Sequence, residues 1–176
     1  QFNEKSKLVI NQAQNKAISL NNQQILNSHL IHSIINLNDY FIIELLKYFN
    51  VENSSLQREV EIQINKIPKV LGRNLNIFFS DELVKVLENS KNIKDEFNDS
   101  FISPEILLYT LVKNENLEIS KLFKENNINK ENLKLAILKL RKGQTIENKN
   151  TNIDSNVLKK YSTDLTELAK TGKLDP

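Results

Sequence analysis

Residues 2–66 of this 176-residue chain slide onto residues 79–143 at a constant offset of 77, without a gap. Identities fall at Phe2/Phe79, Val9/Val86, Asn15/Asn92, Asn21/Asn98, Ile25/Ile102 and Leu30/Leu107, and continue at Ile42/Ile119, Leu45/Leu122, Lys47/Lys124, Asn50/Asn127 and Leu56/Leu133. Conservative matches such as Glu4/Asp81, Ile10/Leu87, Ser33/Thr110 and Val60/Ile137 lie between them. Most matched positions are apolar, so what recurs is a buried pattern whose surface is free to differ. A fixed internal period constrains the fold strongly, because both copies must be one supersecondary unit and must stack to bury their apolar faces. Two tandem copies leave a cleft between them, which favours binding over catalysis.

The apolar spacing is helical almost throughout: Leu8, Val9, Ala13 and Ala17 form one stripe, and Leu83, Val86, Leu87 and Ser90 form its counterpart. The pattern predicts four helices per copy, at about 3–20, 27–37, 39–49 and 53–66, then at about 80–95, 104–113, 117–126 and 130–141. Ser80, Ser103 before Pro104, and Asn53-Ser54-Ser55 read as helix starts. The first copy lacks the counterpart of Pro104 and is expected to cap with Asn27 or Ser28. Residues 67–78, with Pro68 and Gly72, read as a connector between repeats. Residues 144–154 are polar and without apolar period, and are expected to be a flexible linker. An amphipathic helix at about 155–170, stopped near Gly172, is expected to follow. The fold class is therefore all-α: two pseudo-symmetric four-helix repeats, a linker and a C-terminal helix.

Composition removes several function classes. Residues 2–66 hold six basic and six acidic groups, and residues 79–143 hold eleven of each, so the net charge of +2 reduces to Lys69 and Arg73 in the connector. Nucleic-acid binding normally needs a concentrated basic face, and none is visible. No apolar run reaches the ~20 residues that span a bilayer. Cysteine is absent, which excludes disulfides, thiol nucleophiles and Cys-zinc sites. The chain starts at Gln1 and lacks methionine, as expected of a piece of a longer polypeptide.

Both copies resemble the Clp amino-terminal repeat, the two-copy module that precedes the ATPase rings of Clp-family AAA+ chaperones. Phe2-Asn3-Glu4-Lys5 resembles the opening of the family's first repeat, and Ser103-Pro104-Glu105-Ile106-Leu107-Leu108 resembles its second-helix pattern, with Leu26-Asn27-Ser28-His29-Leu30-Ile31 as the weaker copy. The run from Lys160 to Pro176, with Asp164-Leu165-Thr166 and with Leu140-Arg141-Lys142-Gly143 upstream, is similar to the lead-in to the first AAA+ module of ClpB-type disaggregases. The resemblance implies a groove between repeats that captures unfolded or aggregated polypeptide. It carries polypeptide-binding roles onto Asn3, Leu87, Asp99, Glu105 and Ile106. It also implies a homo-hexameric parent that uses ATP and Mg, with the isolated piece a monomer; the Asn-, Lys- and Ile-rich composition, as of an AT-rich genome, leaves the compartment open, with a plastid or mitochondrion among the options. An adaptor or co-chaperone could dock instead, as in ClpC- and ClpA-type unfoldases. A structural reading stands beside these: Glu105 and Asp99 as acids complementing a helix dipole, and Leu87 and Ile106 as core. A paired acidic reader of phosphorylated arginine lacks half its pair, since the counterpart of Glu105 is Ser28.

The sequence contains no G-x-x-x-x-G-K-[ST], and Gly72, Gly143 and Gly172 cannot build a phosphate loop, so this piece is not expected to be an enzyme or to hold a cofactor. His29 and His32 lie one turn apart without a third ligand at motif spacing, so no metal is expected and His29 is expected to pack at its helix start. Tyr40-Phe41, Tyr48-Phe49 and Phe78-Phe79 are expected in the core.

Overall fold

The computed structural model describes residues 1–72, 76–115 and 117–150. The expected C-terminal helix and the lead-in to an AAA+ module lie outside the described residues.

The described residues form eight helices and two very short strands. The first copy holds α1 (Glu4–Ser19), β1 (Gln24–Ile25), α2 (Asn27–Asn36), α3 (Tyr40–Tyr48) and α4 (Asn53–Asn65). The second holds β2 (Phe78–Phe79), α5 (Asp81–Glu96), α6 (Pro104–Lys113), α7 (Glu118–Glu125) and α8 (Lys130–Arg141). Each helix end lies within one residue of its expected position. In both copies the second helix forms the centre: α2 packs on α1 and α4, and α6 packs on α5 and α8. Every residue of α6 from Pro104 to Val112 is buried, apolar side chains covering most of its surface and Glu105 and Thr110 being the polar exceptions. The copies meet where α2 and α3 lie against α6.

Helix ends explain the repeated asparagines. Asn21 and Asn98 adopt φ of 57°, and Asn50 and Asn127 adopt 58° and 60°. These positions follow the ends of α1, α5, α3 and α7, where the chain turns through the left-handed region. Asparagine tolerates that region better than any residue but glycine, and this chain has three glycines in all.

Helix starts depart from expectation in the first copy. The N-cap of α2 is Leu26, and neither Asn27 nor Ser28 caps it; instead the Leu26 N–H donates to Nδ1 of His29 at 2.9 Å. The N-cap of α4 is Glu52, and Asn53 donates to the Ile35 carbonyl at 3.1 Å. Ser80 does cap α5, accepting from the Leu83 N–H at 3.1 Å.

The sequence reading had no strands. Gln24 and Ile25 pair in parallel with Phe78 and Phe79, and Phe2 makes a parallel bridge to Ile102. Adding the repeat offset to Phe2 gives Phe79, and subtracting it from Ile102 gives Ile25, so the two pairings are one interaction made twice. The Asn3 N–H donates to the Ile102 carbonyl at 2.9 Å, and the Ser80 N–H donates to the Ile25 carbonyl at 3.0 Å. Each copy therefore supplies its leading strand to the other copy's second loop.

Two further expectations need correction. Over residues 144–150 the supposed flexible linker lies docked on the body: Ile146 is 1% exposed, its carbonyl accepts from the Ser100 N–H at 2.6 Å, and the Lys149 carbonyl accepts from the Glu4 N–H at 2.8 Å. One apolar residue among polar neighbours has no period, yet it suffices to anchor the segment. Among the aromatics Phe41 is core, whereas Tyr48 and Phe78 are exposed. The Lys139 ammonium stands 5.8 Å above the Tyr48 ring.

Candidate functional site

The seam between the copies is built on the paired strands. β1 lies against α1, and β2 is hydrogen-bonded to β1, so the start of the second copy sits beside the first helix of the first. Phe2, Phe79 and Phe101 are half-buried there, and Phe78 is exposed. Leu87 and its counterpart Ile10, both packed against the core, are half-buried on α5 and α1. Elsewhere on the same helices the matched Val9/Val86 pair is fully inside.

Beneath the Phe2–Ile102 pairing lies a buried ionic cluster centred on Arg141, which is 1% exposed. Its Nη1 donates to Asp99 Oδ1 at 2.9 Å, its Nη2 donates to Glu105 Oε2 at 2.9 Å, and its Nε reaches the same oxygen at 3.3 Å. Nη2 also lies 3.3 Å from Ser103 Oγ. Ser103 is the N-cap of α6, but its side chain makes no cap hydrogen bond. The guanidinium stands 5.6 Å from the centre of the Phe97 ring. Asp99 Oδ1 accepts in addition from the Ile146 N–H at 3.0 Å, which ties the docked 144–150 segment to the cluster.

Two acids share one cation here, and the electrostatics reflect it. Burial pushes the Asp99 carboxyl above its usual range, against the opposing pull of Arg141 and the Ile146 N–H. For Arg141 burial acts downward, but Glu105 and Asp99 outweigh it and hold the guanidinium above its usual value. Breaking such a buried pair is costly because it strands an uncompensated charge.

The sequence-assigned residues divide accordingly. Asp99 and Glu105 meet on Arg141. Asn3 adjoins them through its backbone bond to Ile102, and its side chain accepts from the Ser6 N–H at 2.9 Å as the cap of α1. Ile106, next to Glu105, is core. All four are buried in this structure. Leu87 lies outside the cluster and offers part of its surface. Sequence reasoning noted Arg141 only within a motif, and missed Ile146. The available signal was that Asp99 and Glu105 have uncharged counterparts, Asn22 and Ser28, and that the only arginine of the second copy lies in α8.

The first copy fills the equivalent place without charge. Nε2 of buried His29 bonds Asn22 Oδ1 at 2.9 Å while Nδ1 accepts from Leu26, which fixes a neutral ring. Burial, then His32 and Lys16, pull its pKa down to about 4. His32 instead faces Glu61, at 3.2 Å.

The model for the Clp repeat (R) N-terminal domain matches residues 1–126. The chaperone protein ClpB of Rickettsia typhi is 36% identical over 176 residues, covering 99% of this chain and 20% of that protein. The chain thus spans about a fifth of the length of the curated relatives it matches. Among solved structures, the Hsp104 N-terminal domain from Candida albicans superposes with a TM-score of 0.73 at 26% identity, over 85% of this chain and 97% of that one. A ClpV N-domain in complex with a VipB peptide shares the fold, with a TM-score of 0.65 at 17% identity over 78% of this chain and 84% of that one.

Proposed function

Because this chain belongs to the Clp repeat N-terminal domain family, we propose that it is the polypeptide-capturing module of a ClpB-type, ATP-driven disaggregase, with clients lying along the seam between the copies. The observation that carries this reading is the set of half-buried apolar side chains at the seam, Phe2, Phe79 and Phe101, with exposed Phe78, to which half-buried Leu87 on α5 is added. Unfolded clients share exposed apolar segments and no common sequence, so non-directional burial is the fitting recognition force. In this reading Leu87 touches the client. Asn3, Asp99, Glu105 and Ile106 act from below, holding the loop at Phe101–Ile102 against Phe2 through Arg141.

A small shallow surface yields weak contacts. Six modules on one ring would compensate by avidity. ATP and Mg would serve the ATPase modules of a longer protein, since this chain has no phosphate loop. That a ClpV N-domain of this fold is solved in complex with a VipB peptide is consistent with peptide binding. The alternative is docking of a folded adaptor, which would bind with defined stoichiometry and would not compete with an unfolded protein.

The test is fluorescence anisotropy with a labelled, permanently unfolded protein. Leu87→Gln combined with Phe78→Gln is expected to weaken binding about tenfold when measured well below the variant's thermal transition. Undiminished binding by that variant would overturn the proposal.

A further inference from the structure

The two copies carry the same surface groove at equivalent places, with opposite chemistry. In the first copy a groove of about 440 Å³ between α2 and α4 is lined by His32, Asn36, Ser54, Gln57, Arg58 and Glu61. Adding the repeat offset to each gives Tyr109, Lys113, Glu131, Lys134, Leu135 and Leu138. These, together with Lys130, line a groove of about 490 Å³ between α6 and α8. The backbone architecture has therefore been kept and the lining replaced.

In the first-copy groove the acid is already paired: Glu61 binds Lys16 at 2.9 Å and His32 at 3.2 Å. The second-copy groove has an apolar floor, buried Tyr109, and two leucines one turn apart on the outer face of α8, Leu135 at 68% and Leu138 at 44% exposed. Folding does not require leucine at either place, because the first copy has charged Arg58 and Glu61 there. α8 already buries Leu133, Ala136, Ile137 and Leu140 on its other face.

The rim has changed in the same direction. Lys113, Lys130 and Lys134 stand where the first copy has Asn36, Asn53 and Gln57, against a single new acid, Glu131 for Ser54. Lys113 pairs with Glu96 at 3.2 Å and Lys130 with Glu115 at 4.0 Å, both on exposed surface, where such pairs contribute little and exchange readily. Lys134 lies 5.6 Å from the centre of the Phe97 ring.

From this divergence we infer that the α6–α8 groove is a second docking site, taking an acidic amphipathic helix of a partner protein. Its apolar anchors insert between Leu135 and Leu138 onto Tyr109, and its carboxylates meet the three rim lysines. A groove between two helices, with apolar side chains on its floor and charges on its rim, suits an amphipathic helix laid in it. The excess of lysine selects an acidic ligand over a generic apolar one. This site uses residues separate from the seam and goes beyond client capture.

The probe is a short fluorescein-labelled amphipathic peptide with leucine on one face and glutamate on the other, compared with its lysine-for-glutamate twin. The whole chain is expected to bind the acidic peptide about tenfold more tightly than the basic one, with the difference fading at high salt. Leu135→Arg with Leu138→Glu should abolish binding, and Lys113→Asn, Lys130→Asn with Lys134→Gln should equalise the two peptides. The first variant alters exposed positions and the second half-buried lysines, and an unchanged circular-dichroism melt verifies folding of each. Equal binding of the twins by the unaltered chain would overturn the inference. So would full binding by the Leu135/Leu138 variant, or self-association of the chain that this variant abolishes, which would make a second copy the occupant.

Discussion

Arg141 is the residue on which most of the second copy's polar architecture depends. Replacing it by alanine leaves Asp99 and Glu105 buried without a counter-charge, and a loss of about 3–5 kcal/mol is expected from urea unfolding followed by circular dichroism. Arg141→Met combined with Asp99→Asn and Glu105→Gln removes all three charges together and should recover a substantial part of that loss. His29 gives a pH signature. Its ring titrates near 6.5 when unfolded and at about 4 when folded, because burial, His32 and Lys16 disfavour the imidazolium and Nδ1 is already accepting a hydrogen bond. Below pH 6.5 the unfolded chain takes up a proton that the folded chain refuses. Stability should therefore fall as pH drops from 6.5 to 4, by about 2–3 kcal/mol from this group. His29→Gln should flatten that slope in urea midpoints measured across the same range.

Elements end where single residues permit it. Asn50→Ala and Asn127→Ala place an ordinary side chain at φ near 60° and should each cost about 1 kcal/mol, whereas glycine at the same positions should be nearly neutral. The docked 144–150 segment is tested by Ile146→Ala. That change should cost about 2 kcal/mol or more and speed hydrogen exchange at the Ser100 and Glu4 amides, which donate to this segment. The helices were legible in the sequence because their apolar period is written twice, and a stripe that recurs at matching places leaves little choice of register. The strands were not, since two residues have no period and their pairing joins positions more than fifty residues apart. The site was legible only as a set of names. Asp99 and Glu105 were singled out, but a clasp between the start of α6 and the end of α8 depends on tertiary approach. The same approach draws the Ser103 hydroxyl from its expected cap to Arg141.

For the whole molecule, the reciprocal strand pairings make the two copies one folding unit. Each copy alone would expose the backbone groups that its partner's leading strand satisfies. Duplication under that constraint keeps the strand pairing and the apolar pattern and lets other positions diverge, as the ionic and neutral versions of the buried cluster and the polar and apolar versions of one groove illustrate. In the proposed function, clients bind across the seam between copies. Titration of the isotopically labelled chain with a permanently unfolded protein, followed by amide chemical shifts, tests it most directly. The expected result is saturable shifts concentrated at Phe2, Phe78, Phe79, Leu87 and Phe101, with smaller ones at Asp99 and Glu105 beneath them. Shifts confined to residues away from the seam, with these positions unmoved at saturation, would contradict it.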